Sequence, residues 1–178
     1  MPAVKGGTRR FERSTVNATR TSVGSYFVIA EPFQEVDWSP DPESPARQED
    51  LERAHRKASL LATLLRIRLI QHREEGWNGY DALPPDRDAV VYAMTWLREL
   101  FREVEDAGLT WLQPHVTSSA EGEVVLQWWN DPKRLTIYFS VHEAAYIKSW
   151  GPDIETEMED GDAASATNRA RLWEWLTS

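Results

Sequence analysis

The chain has 178 residues, nine tryptophans, no cysteine and a formal net charge of −9. The absence of cysteine excludes disulfides, thiolate catalysis and cysteine-bound zinc. No run approaches the ~18 apolar residues of a membrane span, and the N-terminus lacks the apolar segment of a secretory signal, so a soluble, cytoplasmic protein without a membrane partner is expected.

The charge is unevenly placed. Residues 1–73 hold 12 Lys/Arg against 9 Asp/Glu, whereas residues 74–178 hold 8 against 20. An acidic body disfavours direct contact with nucleic acid, whose phosphates need cations, and favours a protein with a basic surface. Residues 1–46 read as a flexible basic arm and Pro-rich linker, with "YFVIA" (26–30) as a possible short strand. The single domain expected after it covers residues 47–178.

Residues 49–71 carry a helical pattern with two apolar faces. Leu51, Ala54, Ala58, Leu61, Leu65 and Leu69 share one; Leu60, Leu64 and Ile67 lie on another. Two apolar faces need two covers, one being the domain core and the second the arm or another chain, which makes a homo-oligomer through this helix possible. A second helix is predicted over 87–106, capped by Asp86 and ended by Gly108, with Val90, Ala93, Met94, Leu97, Leu100, Phe101 and Val104 inside.

Beyond it the apolar period falls to two. "PHVTSS" (114–119), "EVVLQWW" (123–129), "RLTIYFS" (134–140) and "AAYIKSW" (144–150) read as antiparallel strands joined by short turns. "DIETEMEDGD" (153–162) reads as a further strand with Asp153, Glu155, Glu157 and Glu159 along one face. A closing helix over 165–176, capped by Ser165, presents Leu172, Trp173 and Leu176 to the sheet. The fold class is α+β: two N-terminal helices, an antiparallel meander of three to five strands, and a C-terminal helix.

Between the first two helices lies "EEGWNGYDALPPDRDAV". Gly76 should stop the first helix, Asn78-Gly79 supplies a tight turn, and Pro84-Pro85 delivers an extended chain to the Asp86 cap. Trp77 and Tyr80 either plug the end of the helical layer or stand outward as partner anchors. "GWNGYDALPP", together with "PHVTSSAEGEVVLQWW", "LTIYFS" and a C-terminal Trp-Leu, resembles a scattered group of small bacterial proteins. They share a Gly-Trp-(Asp/Asn)-Gly-Tyr-x-Ala-x-Pro motif and have no established activity. The resemblance covers residues 76–176. It implies an α+β fold and a prokaryotic, cytosolic setting, and it brings no catalytic residues.

Phosphate-loop, nucleophile-elbow, zinc-helix and dinucleotide signatures are absent, so no cofactor, metal or catalytic residue is assigned. His72 with Glu75 and Asp81 is the one local grouping that could make a small metal-dependent hydrolase, and this is the alternative reading. Another is a nucleic-acid accessory working through Lys5, Arg9, Arg10, Arg13 and Arg20 of the arm. The leading expectation is a non-catalytic protein–protein interaction module, a subunit or inhibitor in a prokaryotic conflict system of the antitoxin or anti-phage kind. Its candidate binding residues are Trp77, Tyr80, Asp153, Glu155, Glu157 and Glu159, the acids having a second reading as protection for a sheet edge.

Overall fold

In a computed structural model, residues 45–178 are described. The expected arm, its basic residues, the possible strand at 26–30 and the linker as far as residue 44 lie outside them; residues 45 and 46, read as linker, instead begin the first helix. Three helices and five strands follow in the order α1 (Pro45–Ile70), α2 (Arg87–Asp106), β1 (His115–Ser118), β2 (Val124–Asn130), β3 (Lys133–Phe139), β4 (Ala144–Ser149), β5 (Met158–Asp162) and α3 (Ala166–Thr177). The class is α+β, as read from the sequence. No helix among the described residues is long and apolar enough to cross a membrane.

α1 starts four residues before the expected position because Pro45 is its first residue. There the missing N–H has no helical partner to lose and the fixed φ suits the helix. It also ends early, at Ile70, where His72 N–H donates to the Leu69 carbonyl and Arg73 N–H to that of Ile70. Gly76 therefore does not stop the helix. Its positive φ of 72° belongs to the corner that follows. α2 begins as expected: the Asp86 carboxylate accepts from the N–H groups of Asp88, at 2.7 Å, and Ala89. Ser165 caps α3 by accepting from Asn168 N–H at 3.1 Å.

The sheet is an antiparallel meander with the strands in sequence order. Its register places Val124, Leu126 and Trp128 opposite Phe139, Ile137 and Leu135, all six on the face that meets the helices. Much of the tryptophan excess is spent in this core. Trp96, Trp128 and Trp173 are fully buried, Trp111 stacks on Trp173 at 5.5 Å, and Trp128 meets Trp173 edge-on. Their polar edges mostly find acceptors: Trp96 Nε1 donates to the Ala163 carbonyl, Trp128 Nε1 to that of Leu112, and Trp111 Nε1 to Ser59 Oγ. Rings of this size bring large apolar area, but a buried N–H without an acceptor costs free energy, so these bonds also fix register.

Arg169 of α3 is the one charged side chain buried among the described residues. Its guanidinium donates to Glu103 at 2.6 Å, pairs with Glu99 at 3.1 Å and donates to the Ala164 carbonyl, locking α3 to α2. The hydrogen bond with the Glu103 carboxylate raises its already high pKa, against the opposing effect of burial.

Candidate functional site

The corner between α1 and α2 is built to grip the β1–β2 turn. Gly76 N–H donates to the Ala82 carbonyl and Gly79 N–H to that of Gly76, closing the loop on itself. Leu83 N–H then donates to the Ala120 carbonyl at 2.8 Å, and Asp86 N–H to that of Gly122 at 3.1 Å. Gly122 has φ +84°, and a Cβ there would sit 2.8 Å from the Pro84 carbonyl oxygen. "GWNGYDALPP" and "AEG" are thus two halves of one junction. Trp77 is half-buried in it: the Arg73 guanidinium lies 4.0 Å above its ring, and its Nε1 donates to the Leu83 carbonyl. Tyr80 is different. It is 81% exposed, which leaves it as the outward residue of the pair.

The acidic segment departs from its expected form. β5 begins only at Met158, and Asp153–Glu157 form a turn, so Asp153, Glu155, Glu157 and Glu159 do not line one strand face. Asp153 accepts from Glu155 N–H and from Thr156 Oγ1, and the Thr156 hydroxyl followed by that N–H holds its carboxyl below the usual carboxylate range. Glu157 accepts from Asp153 N–H at 2.9 Å. These acids knit the β4–β5 connection together. Aspartate accepting from N–H groups two and three residues on is the ordinary chemistry of a turn. Glu159 lies on the helix side of β5, where it pairs with Lys148 at 2.9 Å and accepts from the Tyr146 hydroxyl at 2.7 Å. Those bonds, Lys148 first, lower its pKa; the same contact with Glu159 pushes Tyr146 up to about 12.

A different set of acids gathers on the opposite face of the sheet. Register places Tyr138, Ala145 and Asp162 side by side there, followed by Ile147 with Asp160 and Ser149 with Met158. No described helix or strand packs on this face. At its β1–β2 side Val125 is buried between its cross-strand neighbours Thr117 and Tyr138. Towards β5 the face opens into a shallow groove of about 610 Å³ with Tyr138, Ile147 and Met158 in its floor. Glu123, Glu143, Asp160 and Asp162 line the same groove, and no Lys or Arg does. Such a surface offers apolar contact ringed by negative charge, a pattern that recruits cationic side chains with long aliphatic stems.

The residues of the groove come from the β1–β2 turn, β3, the β3–β4 turn, β4 and β5, so no local motif announces them. The available signal was parity: Tyr138, Ile147 and Met158 are apolar residues at outward positions of half-buried strands. His72, Glu75 and Asp81 are each exposed, and among the described residues no group of three His, Asp or Glu side chains is placed to hold a metal ion. No family model, no curated protein and no solved structure matches the chain.

Proposed function

We propose that the protein is a non-catalytic interaction module, a subunit or inhibitor that takes a basic partner protein on the open face of its sheet. The observation that carries this reading is the groove over β3–β5, with its apolar floor and four carboxylates. Tyr80 and the half-exposed Leu83 of the corner are further apolar positions available to a large partner. The prokaryotic setting belongs to the same proposal and rests on the resemblance of residues 76–176 alone; the conflict-system role rests on the acidic surface, the tryptophan excess and the apolar area of the first helix.

The test compares two charge reversals on the purified protein against a partner isolated by affinity capture and then purified. Glu143→Lys with Asp160→Lys reverses charge inside the groove; Glu155→Lys changes an exposed acid outside it. By titration calorimetry the groove variant should bind at least about tenfold more weakly, with a smaller dependence on salt, and Glu155→Lys should bind as the parent does. Equal affinity for parent and groove variant would sink the reading. Loss on Glu155→Lys alone would move the site to the β4–β5 turn.

A further inference from the structure

The structure decides which of the two apolar stripes of α1 faces the core. Leu64, Ile67 and Ile70 are buried against the domain, whereas Leu51, Leu61, Leu65 and Leu69 remain 58–65% exposed, with Ala54 and Ala58 exposed between them. No described element covers this stripe, which runs about 27 Å along the helix at 1.5 Å per residue. Single exposed leucines are common on protein surfaces, but a continuous apolar stripe marks an interface.

Two properties of the stripe specify what covers it. Positions 51, 54, 58, 61, 65 and 68 alternate three- and four-residue steps, the spacing of a coiled-coil seam. In an antiparallel pair of such seams, residue 54 of one helix meets 65 of the other, and 58 meets 61. Those layers set Ala54 against Leu65 and Ala58 against Leu61, a small residue facing a large one, and at either end Leu51 against the aliphatic stem of Arg68.

We infer that α1 is a homodimer interface: two copies of the chain pair antiparallel through the Leu51–Ala54–Ala58–Leu61–Leu65 seam about a two-fold axis. A two-fold contact is self-complementary and closes at two copies, so it does not propagate. The inference is independent of the groove, which lies on the far side of the sheet from the helices.

Sedimentation of the full chain tests the stoichiometry. The parent should sediment at twice its 20.5 kDa mass, and Leu61→Glu should shift the dissociation constant by at least about a hundredfold towards monomer while its circular dichroism stays that of the parent. Orientation is tested without relying on that variant, because the chain has no native cysteine to interfere. Ala54→Cys chains mixed with Leu65→Cys chains should oxidise to a mixed disulfide, and Ala54→Cys chains alone should not. A monomer at every concentration overturns the inference. So does a disulfide formed by Ala54→Cys chains alone, which reports parallel pairing, or a complex with a different protein that Leu61→Glu abolishes.

Discussion

Gly79 and Gly122 provide an internally controlled test of the corner–hairpin junction. Both have φ +84°, so an alanine at either must enter the left-handed region at a cost of about 1–2 kcal/mol. They differ in surroundings. A Cβ at Gly79 meets nothing within 4 Å, whereas one at Gly122 meets the Pro84 carbonyl oxygen at 2.8 Å and Leu83 Cβ at 3.4 Å. That carbonyl cannot move aside freely, since the hydrogen bonds of Leu83 to Ala120 and of Asp86 to Gly122 hold both sides of it. Overpacking of this kind adds about 1–3 kcal/mol. Gly79→Ala should therefore cost about 1–2 kcal/mol and Gly122→Ala about 2–5 kcal/mol, read from urea unfolding followed by tryptophan fluorescence. Hydrogen exchange of the Leu83 and Asp86 amides should accelerate in Gly122→Ala and stay unchanged in Gly79→Ala. Equal stability losses in the two variants would refute the claim that the corner and the β1–β2 turn form one packed junction.

Two further outcomes follow from the polar contacts. Arg169→Met should destabilise the domain by about 2–3 kcal/mol, below the range for a fully buried ion pair because Glu103 can recover solvent, while Glu99→Ala should cost less than about 1 kcal/mol; equal losses in urea unfolding would show that the α2–α3 lock does not depend on the buried guanidinium. The Tyr146–Glu159 contact gives opposite pH signatures at its two ends. Tyr146 is raised in the folded state, so its contribution is complete below pH ~10 and lost as pH rises through about 12; Glu159 is lowered, so its contribution is present above the ordinary glutamate value and lost as pH falls through the depressed one. Glu159→Gln should bring the last tyrosine to ionise in ultraviolet titration down towards pH 10, and a titration identical to the parent's would remove the contact as its cause.

Local chemistry was legible in the sequence, and two-dimensional chemistry was not. The Asp86 and Ser165 caps act over two or three residues, so their side chains announce the helix starts directly. Strand periods and short turns gave the meander because each hairpin is also local. The segment at 153–157 misleads because acids at every second position fit two structures. A strand would align them, but Gly151-Pro152 followed by Asp153 and Thr156 instead folds the chain back, with Asp153 accepting from the next turn of backbone. Placing the strand start at Met158 fixes which acids face which way: Glu159 turns to Lys148 and the helix side, and Asp160 turns to the groove. Parity in a strand is decided by single residues, so an error in one boundary exchanges a salt bridge for a binding surface.

α1 shows why periodicity alone cannot choose the inner face of a helix with two apolar stripes. The more leucine-rich stripe lies outside, and the inner one includes Arg56, Ser59 and Thr63. Each of these meets a partner on another element: Arg56 the Glu105 carboxylate, Ser59 the Trp111 indole N–H and Thr63 the Gln113 amide. Turning the helix so that Leu61 and Leu65 pointed inward would bury apolar area but strip the buried Trp111 N–H of its acceptor and Glu105 of its cation. Burying a leucine yields roughly 1.5–3 kcal/mol, while an orphaned buried donor costs about 1–3 kcal/mol. Apolar burial therefore cannot settle the choice when the displaced stripe is itself half apolar; the polar contacts do. The leucines left outside then gain their burial only from a second surface, and the antiparallel pairing of two α1 helices supplies one without disturbing a single contact on the inner face.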